Sequence, residues 1–384
     1  MAGRMDSVQE SGTVRMADRA KELQAKGINV ISFSIGEPDF PTPEHIVSAA
    51  VEALRSGFTK YTPAAGIPEL REAVAEKLRR ENGIQASAKE VLVTPAKHAI
   101  FMSIFALVNR GDEVIIPDPC WVSYEPMVRM AEGKPVPAQA DESSGFVTTA
   151  EAIEPLITER TRMIILNSPA NPSGSVASKG QMEEICSLAK EHGLIIVSDE
   201  IYEHIIYDKQ HFSPASVLPE NVITVNGFSK TYAMTGWRLG YLHAPRSCFD
   251  ALLKVQTHTV TCAPSFAQKA GVAALLGPQE TVSEMLREFR KRRDMVVNEL
   301  RSMPDFKVSV PDGAFYVFPS YNFDIPSERM AELLLDEAHV AVTPGISFGK
   351  RGEKHIRISY ATSTEKLKTG LAQIRNALER LSNG

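Results

Sequence analysis

Lys230 and Arg238 stand eight residues apart in the stretch NVITVNGFSKTYAMTGWRLGY, residues 221–241. A lysine amine held out of bulk water can condense with an aldehyde, and an arginine beside it can hold an anion in a planar fork. Val222 to Val225 is an apolar, β-branched run closing on Asn226-Gly227, and Arg238 to His243 reopens as a strand after Gly236. Lys230 is therefore expected on a short turn at a strand end, where open α/β sheets build their sites. The plain alternative is a solvated turn lysine with a sheet-edge arginine.

Other stretches offer groups of matching chemistry. The run Leu194 to Ser198 ends in Asp199-Glu200-Ile201-Tyr202. A carboxylate at the end of a buried strand needs a partner, since burial disfavours its charge. A capping Asp beside a core Tyr is the alternative. Asn167-Ser168-Pro169-Ala170-Asn171-Pro172-Ser173-Gly174 follows another strand end, and its Asn and Pro content demands a turn that fixes Asn171 as a donor. Val93-Thr94-Pro95-Ala96-Lys97 runs from a strand into a helix N-terminus, a ready site for phosphate. Trp121 is either a stacking platform for a flat ring or plain core. Arg357 alternates with Ile356 and Ile358, so it points away from their packing.

Ser229-Lys230-Thr231 followed by Gly236-Trp237-Arg238 resembles the pyridoxal-phosphate lysine signature of class I aminotransferases, the fold-type I enzymes related to aspartate aminotransferase. The loop at Asn171 is similar to that family's NSPNNPTG, with Ala170 and Ser173 where Asn and Thr are usual. The resemblance implies pyridoxal 5'-phosphate as cofactor and Lys230 as its Schiff-base lysine. It implies Asp199 on the pyridine nitrogen, Tyr202 and Asn171 on the phenolate oxygen, and Trp121 on the ring. Ala96, Lys97 and Arg238 would hold the phosphate, with Tyr61 lent across a homodimer interface. The family's usual glycines are replaced by Pro95-Ala96, and Gly227 stands where relatives often carry a serine. Arg357, with the backbone at Gly36, would bind the substrate α-carboxylate. Ser11 and Thr13 resemble the N-terminal Ser-x-Thr of bacterial and archaeal aspartate aminotransferases; with Lys97 they would suit a side-chain carboxylate. The implied reaction is ping-pong transfer of an amino group, aspartate to 2-oxoglutarate first, with an aromatic amino acid or prephenate, or a β-elimination on the same lysine, as alternatives.

Around these residues, apolar runs at residues 91–94, 113–116, 163–167, 194–198, 222–225 and 239–243 alternate with helical stretches, which predicts an α/β fold with a largely parallel sheet covered on both faces. The resemblance makes it seven-stranded, with a smaller α+β domain. Residues 1–44 are expected to form an N-terminal arm that completes the small domain, 45–276 the large domain and 277–384 the small C-terminal domain. A strand is expected over Val30–Ile35, and a helix capped by Thr42 with Pro43 at its first position. The chain has 384 residues, 43% of them hydrophobic, and a net charge of -5, which offers no basic face for nucleic acid or anionic membrane. No apolar run reaches the length of a membrane span. Cys120, Cys186, Cys248 and Cys262 lack any CxxC spacing, so free thiols in the cytoplasm are expected.

Overall fold

Short apolar runs punctuated by Gly and Asn turns form fourteen strands among the described residues, 2–8 and 12–383, of this computed structural model. After β1 (Ile31–Ser32) come β2 (Val91–Val93), β3 (Glu113–Asp118), β4 (Lys134–Gln139), β5 (Thr161–Asn167), β6 (Ile195–Asp199), β7 (Val222–Gly227) and β8 (Gly240–His243). These last seven make one sheet in the order β2-β8-β7-β6-β5-β3-β4, parallel except for β8, which runs against both β2 and β7. The expected α/β class and mostly parallel seven-stranded sheet are therefore present.

Four helices precede or enter the sheet's crossovers: α1 (Gly12–Ala25), α2 (Glu44–Arg55), α3 (Pro68–Glu81) and α4 (Ala96–Leu107). Strand alternation divides the apolar side chains between two cores. Ile164 and Ile196 pack with Leu70, Val74 and Leu78 of α3 on one face, while Ile165, Val197 and Ile223 pack with Ile100 and Ile104 of α4 on the other. Each such side chain, fully withdrawn from water, contributes about 1.5–3 kcal/mol.

The C-terminal part carries short strands: β9 (Phe306–Lys307), β10 (Tyr316–Val317), β11 (Ser320–Tyr321), β12 (Val340–Ala341), β13 (Thr343–Pro344) and β14 (Ile356–Ser359). β14 lies between β10 and β13, antiparallel to both. The long helix Glu280–Arg301 buries Met285, Phe289, Val296 and Leu300 against them. The N-terminal segment joins this core: Met16, Ala20 and Phe33 pack into it, and β1 pairs in parallel with β12, Ile31 opposite Val340.

One strand was not foreseen and three local expectations are corrected. β4 carries Pro135 and Pro137, which hide its strand character; it is an edge strand bonded only to β3, where a missing N–H is tolerated. The strand expected over Val30–Ile35 is only Ile31–Ser32. Thr42 does not cap α2. Its hydroxyl donates to the Ala233 carbonyl at 2.7 Å and accepts from Trp237 Nε1 at 3.0 Å, tying the start of α2 to the turn after Lys230. Arg238 is not in a strand: its φ of 56° is left-handed, it closes a single 3₁₀ turn, and β8 begins at Gly240. All four cysteines are free, and no helix among the described residues is long and apolar enough to cross a membrane.

On the α3 side of the sheet, buried Lys77 pairs with buried Glu203 and donates to Asn82 Oδ1 at 2.7 Å. The Asn82 amide donates to Glu203 Oε2 at 2.6 Å, and the Ser198 and Ser213 hydroxyls donate to Glu200 at 2.9 and 2.7 Å. Burial pushes the Glu203 carboxyl up, but Lys77 and the nearby His204 and His211 outweigh it and hold the group far below the usual carboxylate range. A carboxylate depressed in this way contributes stability that is present above its unfolded pKa and lost as pH falls through the folded one. Lys77→Met is expected to cost about 3–5 kcal/mol, the penalty of leaving one buried charge unpaired. The loss should show as a lower urea midpoint at pH 7 and shrink toward pH 4, where Glu203 in the variant takes up a proton. Equal midpoints for variant and wild type at pH 7 would refute a stabilising pair.

Candidate active site

The C-terminal ends of β5, β6 and β7 face a cavity of about 500 Å³ lined by Asn167, Asp199, Ser229 and Lys230, and closed on the other side by Gly36, Tyr316 and Arg357. Its floor is Asp199, the last residue of the central strand β6, only 5% exposed. The carboxylate accepts from the Tyr124 hydroxyl at 2.7 Å and from the Ile201 N–H at 3.3 Å. Burial pushes its pKa up to about 6; the Tyr124 and Ile201 hydrogen bonds pull it back, and neighbouring Glu200 adds to the rise.

Lys230 lies in the turn beyond β7, where Phe228 is anchored in the core. Its amine donates to the Gly36 carbonyl at 2.5 Å. Burial is the main reason its pKa falls to about 8; Glu37 opposes that fall and the Arg357 and Arg238 charges reinforce it. An amine poised there is partly neutral near pH 7, as a nucleophile or proton carrier must be.

Asn171 is placed by side-chain locks between strand ends. Its N–H donates to Asn167 Oδ1 at 2.8 Å, and the Asn167 amide donates to the Asp199 carbonyl at 2.9 Å. Asn171 Oδ1 accepts from Arg357 Nη1 at 2.9 Å. Arg357 does not lie at a solvated edge: it is 3% exposed, because its strand β14 is the middle one of three. Its Nη2 donates to the Ser34 carbonyl at 2.6 Å, while Nε is buried with no partner. The Tyr202 hydroxyl lies 2.9 Å from that of Tyr316.

At the other end, α4 starts at Ala96 without a side-chain cap, so its first N–H groups remain available to an anion. The glycine that permits close packing here is Gly240: a Cβ on it would lie 2.8 Å from the Ala96 nitrogen and 3.0 Å from the Thr94 carbonyl oxygen. Arg238 donates to the Thr235 carbonyl at 2.8 Å, and Lys97 Nζ sits 4.9 Å above the Trp121 ring. Partial burial and then the Arg238 charge pull the Lys97 pKa down. Trp121 packs edge-on to Tyr124, ring centroids 5.3 Å apart.

Gly36, Ala96, Lys97, Trp121, Asn171, Asp199, Tyr202, Lys230, Arg238 and Arg357 thus line one cavity. Tyr61 does not join them; it is 87% exposed. Ser11 and the side chain of Thr13 lie outside the described residues. Three contributors were not foreseen. Tyr124 ends the Trp121-Val122-Ser123-Tyr124 segment, and Asn167 opens the asparagine loop, so both were within reach of a motif. Tyr316 sits in a plain apolar strand with no local signal.

The donor set fits an anionic aldehyde. A depressed amine, a buried carboxylate, an uncapped helix start and three further cations, Lys97, Arg238 and Arg357, free of carboxylate partners among the described residues supply groups for each end of such a molecule. Residues 28–374 match the family model of aminotransferases class I and II. The aspartate/prephenate aminotransferase of Thermus thermophilus is 44% identical, with 99% of both chains covered. The solved aspartate aminotransferase from Thermus thermophilus with maleate superposes at a TM-score of 0.95, with 42% identity over 98% of this chain and 99% of that one. The aromatic aminotransferase from Pyrococcus horikoshii does so at 0.90, with 44% identity over 96% and 99%. With its cavity built from the same strand ends that such folds use for ligands, and its sequence matched nearly end to end, this chain belongs to the class I and II aminotransferases, a family dependent on pyridoxal 5'-phosphate.

Proposed function

We propose that the chain transfers the amino group of aspartate to 2-oxoglutarate, and that Lys230, Asp199 and Arg357 carry the reaction. The observation that supports this most is the convergence of a depressed amine, a buried carboxylate and a buried arginine on one cavity. Pyridoxal 5'-phosphate, when bound, supplies the electron sink that lets a Cα–H bond ionise. Lys230 would hold the cofactor covalently, and its amine would move the proton from the substrate's Cα to the cofactor's C4′ as general base and then general acid. Asp199 would hold the proton on the ring nitrogen, its buried position making that ion pair strong. Tyr202 and Asn171 would donate to the phenolate oxygen, and Trp121 would cover the ring. The start of α4 at Ala96 and Lys97, with Arg238, would hold the phosphate.

Arg357, fixed between Asn171 and Ser34, would bind the α-carboxylate, with the Gly36 backbone beside it. Lys97 at the mouth, with Ser11 and Thr13, would select a second carboxylate. Prephenate and aromatic amino acids remain the second reading, because prephenate also carries a side-chain carboxylate and two of the similar proteins are named for those substrates. We also propose a homodimer in which exposed Tyr61 reaches the partner's phosphate site, a division into residues 1–44 with 277–384 and 45–276, and a cytoplasmic setting suited to four free cysteines.

The reading is tested by an absorbance titration of the cofactor-loaded protein with L-aspartate followed by 2-oxoglutarate. The resting band should disappear and then return; no response to any amino acid would overturn it. Lys230→Ala should lose the covalent bond and slow transamination on the order of 10⁴-fold while keeping the fold by circular dichroism. Lys97→Ala should lower kcat/KM for aspartate about 10–100-fold, the value of one charge-assisted hydrogen bond, with little change for alanine or phenylalanine. Equal losses across the three would remove the case for a dicarboxylic substrate. Mixing Tyr61→Ala with Lys230→Ala chains should give more activity than the two separately, because a hybrid dimer contains one site with both residues intact. No gain after subunit exchange would rule out the exchanged tyrosine.

A further inference from the structure

Tyr316 touches three parts of the site at once. Its hydroxyl is 2.9 Å from that of Tyr202. Its ring centroid lies 4.4 Å from the Arg357 guanidinium carbon, with the Phe348 ring 5.0 Å from the same atom. Its hydroxyl also occupies the space that a Cβ on Gly36 would need, and the Gly36 carbonyl is the acceptor of the Lys230 amine. Tyr316 is 1% exposed and sits on β10, whose neighbour β14 carries Arg357.

The two ends do different work. The guanidinium face is weakly hydrated and favours an aromatic ring, so the ring orients Arg357 without using any of its N–H donors. This leaves the buried, unpartnered Nε and the edge of the fork for a ligand. The hydroxyl, by contrast, hydrogen-bonds with that of Tyr202, whose other charged or titratable neighbours include Arg357 and Asp199. When a hydroxyl donates to Tyr202, it polarises that group and makes it a better donor in turn.

We propose that Tyr316 is a positioning residue with two separable functions: its ring holds Arg357 for the substrate carboxylate, and its hydroxyl, donating to Tyr202, strengthens the hydrogen bond that Tyr202 offers the cofactor. This rests on the aminotransferase reading above. Glycine at position 36 then follows from the need to leave room for that hydroxyl.

Tyr316→Phe keeps the ring and removes the hydroxyl; Tyr316→Leu removes both. Two measurements on the cofactor-loaded protein separate the functions: the pH midpoint of the bound cofactor's absorbance, and the Kd of succinate, an unreactive dicarboxylate. In Tyr316→Phe the midpoint should rise by about half a pH unit, because a weaker donor stabilises the deprotonated cofactor less, while the succinate Kd stays within about twofold of wild type. In Tyr316→Leu the midpoint should rise likewise and the Kd should increase about 5–20-fold, the scale of a desolvated cation–π contact. An unmoved midpoint in the Phe variant, or a Leu variant that binds succinate as wild type does, overturns the role of Tyr316. A midpoint and a succinate Kd that both move in the Phe variant would mean that the hydroxyl and the ring do not act separately, which also overturns it. Failure of the wild type itself to take up cofactor overturns the aminotransferase reading instead, so the two failures are distinguishable.

Discussion

The site depends on one buried carboxylate. Asp199 closes the central strand of the seven and is nearly sealed from water, yet among the described residues its carboxylate has only a tyrosine hydroxyl and one backbone N–H as hydrogen-bond partners. Two neutral donors do not compensate a full negative charge in such a place, which is why its pKa rises to about 6. A cation brought against it would regain the lost solvation. The parallel sheet makes the arrangement possible, since β5, β6 and β7 all end on the same side and deliver Asn167, Asp199 and the Lys230 turn to one opening.

The strand-end residues were legible for the same reason that they are functional. Lys230, Asp199 and Asn171 each follow a short apolar run and stand among turn-forming residues, so the punctuation that stops a strand also marks the site. Arg238 was found as a residue but misjudged as backbone: its left-handed φ is invisible to a period-two pattern, and the strand begins two residues later at Gly240. β4 was missed because proline counts against a strand unless its edge position is already known.

Burial set a further limit. Alternation correctly turned Arg357 away from Ile356 and Ile358, but it could not say that the opposite face is also enclosed by Tyr316 and Phe348 from elsewhere in the chain. Tyr316 itself has no marker, since its value comes from what lies around it. Thr42 shows the converse: a good local cap sequence was overridden by partners, Ala233 and Trp237, roughly two hundred residues away.

The charge distribution explains why a mildly acidic protein should attract anions to this point. The cavity is lined by Lys21, Lys97, Lys230, Arg238 and Arg357 against Asp18 and Asp199. Asp18 and Lys21 pair with each other at 3.1 Å and cancel. Four cations then face a single carboxylate inside a chain whose net charge is -5. The excess is local, in a recess where low-dielectric walls focus the field, so it acts on what enters the cavity and not on distant polyanions. Burial is the main cause of the lowered Lys230 and Lys97 pKa values, and the neighbouring cations reinforce it, Arg357 and Arg238 for Lys230 and Arg238 for Lys97. The charges that attract anions therefore add to the effect of burial on the Lys230 amine. A bound phosphate and carboxylates would neutralise these cations, so the charges that draw anions in would be retuned once the anions are held.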